Sequence, residues 1–302
     1  MKKRIVIAGG TGFIGKAISS HYLTKGYEVV VLTRGTSQVK DNINYQNWDG
    51  TTIGDWKQYI DGAESVVNLT GKSVNCRYTD ENKRLILSSR VNATKVIGKV
   101  IQQSDNPPKL WINSSTATIY DYSLTKPMTE DDGDIGSDFS MSVAKAWEEA
   151  LFNSETPNTR KIVLRISLVL GENEGVIPVL TKLTKLYLGG HHGNGKQKFA
   201  WIHIKDVLGI TDFVKDKNIE GPINCTTDTT INNKQFMAAL RKSLGVSFGL
   251  PTSKFAMELG AMIMGTESEL ILKSRFVKPQ RLMDAGYQFQ FTDVNKALED
   301  LK

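Results

Sequence analysis

The sequence predicts an α/β chain built on a doubly wound parallel sheet, with a smaller α+β unit toward the carboxy terminus. Three observations predict it. Short β-branched runs alternate with helical periods through the first half, a glycine-rich corner joins the first strand to the first helix, and the rhythm changes after Gly171. Such alternation produces βαβ units, whose crossover helices cover both faces of a parallel sheet.

Strands are predicted at residues 4–8, 28–32, 65–69, 110–114 and 161–166, each a run rich in Ile, Val or Leu. Between them apolar residues recur at a spacing of four, as at Ile14, Ile18 and Tyr22. The longest helices of this half are expected at 82–103 and 141–152, with Pro107 and Pro108 as punctuation before the next strand. Beyond Gly171 come a helical stretch near 177–188, the loop GGHHGNGKQ at 189–197, a strand about 198–204 and a helix from about Asp206. Helices at 232–244, 253–264 and 294–301 complete the smaller unit. This divides the chain into a larger domain, 1–170, completed by about 198–225, and a smaller domain made of 171–197 and 226–302. No internal repeat or low-complexity tract occurs.

At 302 residues, 40% of them hydrophobic and 23% charged, the chain has the make-up of a globular protein with one sizeable core. No run of eighteen apolar residues exists, and MKKRIVIAGG passes directly into a strand, so neither a membrane span nor a signal peptide is expected and the location is expected to be cytoplasmic. Cys76 and Cys225 are far apart and without metal-ligand spacing, which favours free thiols and no metal site. The net charge of +6 is spread without interleaved aromatics, so a small anionic ligand accounts for it and no nucleic-acid face is expected.

The strongest signal is RIVIAGGTGFIGKAISSHYLTKGYEVVVLTR, in which a strand meets glycines 9, 10, 12 and 15 and a helix follows at once. The first two glycines allow the tight turn, Gly12 lets the backbone approach a pyrophosphate, and Gly15 lets the helix pack against the strand. Free N–H groups and the helix dipole then favour the anion. This is the Rossmann dinucleotide corner, and Gly9, Thr11, Gly12, Phe13, Ile14 and Gly15 are its predicted cofactor-binding residues. At the end of the second strand LTRG places Arg34 where an acid would select NAD, so NADP is expected, NAD less so, with Thr33 and Ser37 assisting.

With these residues in view, the chain resembles the extended short-chain dehydrogenase/reductase superfamily. Within it, the likeness is to nucleoside-diphosphate-sugar epimerase-like proteins with a carboxy-terminal domain of unknown function. The resemblance covers nearly the whole chain. It rests on GGTGFIG at 9–15, NLTGKSV at 68–74, RYT at 77–79, SRVNAT at 89–94, SSTATIY at 114–120 and LRISLVLG at 164–171. GGHHGNGKQKFAWIHIKD at 189–206 and FVKPQRLMDAGYQF at 276–289 continue it.

The resemblance implies hydride transfer between a nicotinamide and an oxygen-bearing carbon, with a tyrosine as acid or base, a lysine four residues on that tunes it, and a Ser or Thr hydroxyl on the substrate oxygen. SSTATIY puts Thr116 in the hydroxyl position, and Ser114 of the same strand end falls on the cofactor's side. Where the YxxxK motif belongs stands Met141-Ser-Val-Ala-Lys145: the lysine is present and the tyrosine is not. Tyr120 and Tyr122 follow the fourth strand, and Tyr120 is the candidate to replace it, beside Thr116 and Lys145 as the catalytic set. Lys145 either bonds the nicotinamide ribose or is a surface lysine. The resemblance also places Leu69, Thr70, Gly71 and Arg90 at the cofactor, with Asn92 on the same bordering helix.

Across the cleft, Arg77, His192 and Gln197 are the candidate substrate contacts, with His191 and Lys196 in the same loop. Adjacent histidines project in different directions, which speaks against a metal. His203 and Asp206 read as a buried partner and a helix cap, and the run EDDGD, with Asp131 and Asp132, as a solvated loop. The functional expectation is an NADP-dependent oxidoreductase or epimerase acting on a small polar, anionic substrate. Its rival is a non-catalytic NADP-binding sensor or regulatory protein, which Met141 keeps open. Homodimerisation is compatible with either.

Overall fold

The structure is a computed structural model and describes residues 2–172, 174–253 and 274–302. Its centre is an eight-stranded sheet. In chain order the strands are β1 (Arg4–Ala8), β2 (Glu28–Thr33), β3 (Gln38–Lys40), β4 (Ile43–Asn47), β5 (Ser65–Asn68), β6 (Leu110–Thr116), β7 (Arg160–Ile166) and later β11 (Gly221–Cys225). Their spatial order is β11-β7-β6-β5-β1-β2-β4-β3, and every pairing is parallel except β3 with β4.

Strand residues alternate between faces, and both faces are buried, so the sheet carries two cores. On one face Ile5, Ile7, Val29 and Val31 meet Ile18 and Tyr22 of α1 (Phe13–Thr24) and Val207 and Ile210 of α5 (Ile204–Asp216). On the other, Val6, Ala8, Val30 and Leu32 form a core with Val96, Ile97 and Val100 of α2 (Asp80–Gln102) and Leu151 of α3 (Phe139–Phe152). Each such aliphatic side chain contributes about 1.5–3 kcal/mol by leaving water, so the two-sided burial commits the strand register.

A third core joins Leu180 of α4 (Ile177–Lys185) and Phe236 and Leu240 of α6 (Asn233–Ser243). Leu298 of the last helix, α8 (Val294–Asp300), completes it, and α7 (Gln280–Asp284) precedes that helix. Two short pairs lie beside it: β8 (Leu168–Leu170) with β10 (Trp201–His203), and β9 (Lys198–Phe199) with β12 (Ile231–Asn232). None of the helices among the described residues is long and apolar enough to cross a membrane.

The five predicted strands and the helices at 82–103, 141–152, 232–244 and 294–301 are present within two residues of their expected ends. The helix expected to 188 stops at Lys185, because Tyr187 turns into the left-handed region at φ 60°. The strand expected at 198–204 is two short strands, with α5 starting at Ile204. The helix expected at 253–264 falls, apart from Ser253, outside the described residues. Strands β3, exposed throughout at the sheet edge, and β4, which lies between β2 and β3, are short and lack a β-branched run, so neither was predicted. Strand β11 was hidden by Pro222, which an edge strand tolerates.

The sheet order reverses at β1, whose neighbours are β2 on one side and β5 on the other. A crevice therefore opens beyond the carboxyl ends of β1 and β5, where the chains leave in opposite directions.

Candidate functional site

The glycine corner stands at that crevice. Gly9 turns the chain at φ 77°, and a Cβ there would lie 2.9 Å from the Leu69 carbonyl carbon beyond β5. A Cβ on Gly15 would come within 2.6 Å of the Gly10 Cα and the Gly9 oxygen, so only glycine lets α1 sit this close to the turn. Gly12 is the N-cap of α1 and supplies no side-chain acceptor, and no acidic residue lies in the first turn. Among the described residues, a Cβ at Gly12 would touch only the Gly9 oxygen, at 3.6 Å. The first-turn N–H groups of a twelve-residue helix are thus left for an external anion. Thr11 is exposed, Ile14 half-buried, and the Phe13 ring packs on Gly171 and Gly175.

Leu69, Thr70 and Gly71 run past the same corner. The Leu69 N–H donates to Ala8 O (2.9 Å) and the Thr70 N–H to Asn68 Oδ1 (3.1 Å). The Thr70 hydroxyl is buried and has no hydrogen-bond partner among the described residues. Arg90 braces this segment: its Nη1 donates to the carbonyls of Lys72 (3.0 Å) and Ile86 (2.9 Å), and its guanidinium lies over the Trp147 ring. Burial pulls its pKa down to about 10. An anion-ready helix start beside an unpartnered buried hydroxyl fits a dinucleotide's diphosphate and ribose.

At the end of β2, Arg34 is exposed, and its guanidinium has no partner among the described residues. The Thr33 hydroxyl accepts from the Gly35 N–H (3.2 Å).

Thr116 ends β6, where its hydroxyl accepts from the Thr118 N–H (3.1 Å) and keeps its own proton to donate. Ser114, two residues earlier, is buried and donates to Ser115 O (3.4 Å). Lys145 is exposed on α3. One turn before it the Met141 side chain is buried at the helix start, capped by Asp138, and its sulfur fills the space that a Cβ on Gly136 would need. The place expected for an acid/base therefore holds a thioether without a proton.

Tyr120 departs from its expected catalytic place. It is fully buried, donates to Asn224 Oδ1 (2.8 Å) and accepts from Arg165 Nη1 (2.7 Å). Burial pushes its pKa up. Arg165 in turn binds both oxygens of Glu148, and Glu148 accepts from the Ser115 hydroxyl (2.7 Å). Sequence reasoning missed this network, because its members lie 17 to 104 residues apart in the chain. Tyr122 is half-exposed in the following loop.

The loop at 189–197 is stitched down. The His192 N–H donates to Asn233 Oδ1 (2.7 Å), its Nδ1 meets Asn233 Nδ2 (3.2 Å), and Gln197 Nε2 donates to His192 O (3.1 Å). Both His192 and Gln197 are buried, and burial lowers the His192 pKa. His191 Nδ1 lies 3.0 Å from the Gly193 oxygen. Arg77 sits half-buried in the loop before α2, its carbonyl accepting from Asn82 Nδ2 (2.8 Å). Two expectations are corrected. His203, not Asp206, caps α5, with Nδ1 accepting from the Lys205 N–H. Asp206 is buried and receives the N–H groups of Gln290 (2.8 Å) and Phe291 (3.0 Å), tying the tail to α5. In the loop at 130–134, Asp131 pairs with Arg281 and Glu130 is buried against Asn224, so only part of that loop is solvated. No group of three His, Cys, Asp or Glu side chains suited to a metal occurs among the described residues.

Known proteins align with this arrangement. A family model described as NAD dependent epimerase/dehydratase family matches residues 5–225, and one described as a domain of unknown function (DUF1731) matches 252–301. The chain is 31% identical over 299 residues to the epimerase family protein YfhF of Bacillus subtilis, covering 98% of this chain and 97% of that one. The crystal structure of human epimerase family protein SDR39U1 with NADPH superposes with a TM-score of 0.88 at 27% identity, over 99% and 98% of the two chains. The UDP-N-acetylglucosamine 4-epimerase of Bacillus cereus shares the fold, with a TM-score of 0.77 at 15% identity over 99% and 95% of the chains. A family match that spans the whole sheet and its glycine corner makes this chain a member of the NAD dependent epimerase/dehydratase family.

Proposed function

We propose that this chain binds NADP(H) at the Gly9–Gly15 corner and uses it in an oxidoreduction or epimerisation of a small polar, anionic substrate. The observation that carries the reading is the pairing of an uncapped helix start at Gly12 with an arginine, Arg34, free of any acid at the end of β2. The human relative crystallised with NADPH supports the same choice.

When bound, the nicotinamide supplies a hydride donor or acceptor. The chain's own residues do the rest. The Thr116 hydroxyl, still holding its proton, binds the substrate oxygen at the end of β6. Ser114, Thr70, Gly71 and Arg90 form or brace the cofactor's flank, and Lys145 offers a cation toward its ribose. Arg77 supplies charge for an anionic substrate, and the described residues of 171–197 and 226–302 close the substrate side, with His192 and Gln197 shaping the loop. With Met141 apolar and Tyr120 locked away, the proton passes through water. We place the protein in the cytoplasm and expect a homodimer, which sedimentation velocity tests.

A second reading, a non-catalytic NADP-binding sensor, is favoured by one observation: neither Met141 nor Tyr120 can exchange a proton in the cleft. The experiment is NADPH oxidation, followed optically, against a panel of aldehydes, ketones and keto acids. Turnover that Thr116→Val suppresses while NADPH binding persists supports the enzyme. Tight NADPH binding without turnover of any carbonyl supports the sensor.

A further inference from the structure

The residues after β2 are held by one side chain on the neighbouring strand. Asn47 ends β4 in register with Thr33. Its amide Nδ2 donates to the carbonyls of Gly35 (2.8 Å) and Arg34 (3.4 Å), and its own N–H donates to the Ser37 hydroxyl (2.9 Å). The Thr33 hydroxyl accepts from the Gly35 N–H (3.2 Å), so the turn is fixed from both ends.

The consequence is electrostatic. A backbone turn presents carbonyl oxygens as well as N–H groups, and an anion is repelled by the former. Here the two carbonyls next to Arg34 face the Asn47 amide. The hydroxyls of Thr33 and Ser37 each accept a backbone N–H, so each keeps its own proton for another acceptor. Arg34 has no side-chain partner among the described residues. Three side-chain donors, on Thr33, Arg34 and Ser37, thus belong to a turn whose carbonyls at 34 and 35 are already satisfied, and such a turn suits a phosphate monoester.

We propose that Asn47 is a positioning residue that sets the preference for a 2′-phosphorylated dinucleotide, by holding Arg34, Thr33 and Ser37 as a donor set. The inference rests on the NADP(H) reading above. It adds a residue that acts through the turn.

The test is calorimetric titration of the full chain with NADPH and with NADH, for the wild type, Asn47→Ala and the isosteric Asn47→Leu, each checked for folding by circular dichroism. NADPH affinity is expected to fall about tenfold or more in both variants, while NADH affinity moves less than about threefold. In the Arg34→Ala background, Asn47→Ala is expected to add less than about threefold, because the donor it positions is gone. Equal losses for both cofactors, or no loss of NADPH affinity, would overturn the role of Asn47. A wild type that binds both cofactors equally would overturn the NADP(H) reading itself, and a wild type that prefers NADPH with an unchanged Asn47→Ala would overturn only this inference.

Discussion

Glu148 and Arg165 form a two-point ion pair inside the protein, with Oε1 2.9 Å from Nε and Oε2 2.8 Å from Nη2, joining α3 to β7. Both side chains are less than a tenth exposed. Ser115 and Tyr120 attach to the same pair, so the ends of β6 and β7 are held in one unit.

Breaking this pair from one side leaves a buried charge without its partner. Glu148→Gln is expected to cost about 3–5 kcal/mol in urea unfolding, and the double change Glu148→Gln with Arg165→Met is expected to recover part of it. Tyr120→Phe removes one hydroxyl from the network, with an expected cost of about 1–3 kcal/mol and no effect on NADPH affinity. A Tyr120→Phe protein of full stability that lost turnover would restore Tyr120 to the cleft.

Gly12→Val tests the corner. The backbone there is extended, and a Cβ meets only one atom inside the protein, so the fold should tolerate the change. NADPH binding is expected to disappear while Tm moves by no more than about 2 °C, the equivalent of about 1 kcal/mol. Calorimetry and thermal unfolding on the same sample check both halves.

Arg34→Glu tests cofactor choice. Replacing the free guanidinium with a carboxylate is expected to weaken NADPH by about 1.5–3 kcal/mol more than NADH. Equal effects on the two dinucleotides would remove the 2′-phosphate assignment.

Acid should loosen the carboxy-terminal tail. His203 is buried at the start of α5, stacked on Phe291, and burial holds its pKa at about 4, below its ordinary 6.5, although Asp300 lies 3.4 Å away and opposes the shift. The fold accommodates the neutral ring. Its contribution is therefore complete above pH 6.5 and is lost as pH falls from 6.5 to about 4. Over that window the loss is about 2–4 kcal/mol. His203→Asn keeps a capping acceptor and should flatten the urea-measured pH dependence in that range.

How far the residues alone could be read follows from the distance over which each constraint acts. The corner was legible because its requirements are local: Gly9 needs a positive φ, Gly15 a close approach to Gly10, and both lie within seven residues of each other. The strands were legible because burial on both faces demands β-branched runs. Strands β3 and β4 were not, since both are short and bury little, and β11 was not, since Pro222 interrupts its run.

The α/β sheet, the anion corner, the arginine at the end of β2 and the methionine in place of a tyrosine are legible in residue order alone. Which side chains those features meet depends on how the chain packs. Tyr120 is tied to Asn224, 104 residues away, and Asp206 receives the N–H groups of Gln290 and Phe291. Asn47 closes the turn that carries Arg34. A hydrogen bond between distant residues leaves no periodicity or spacing in the chain. It exists only after the hydrophobic faces have packed and the strands have taken their register.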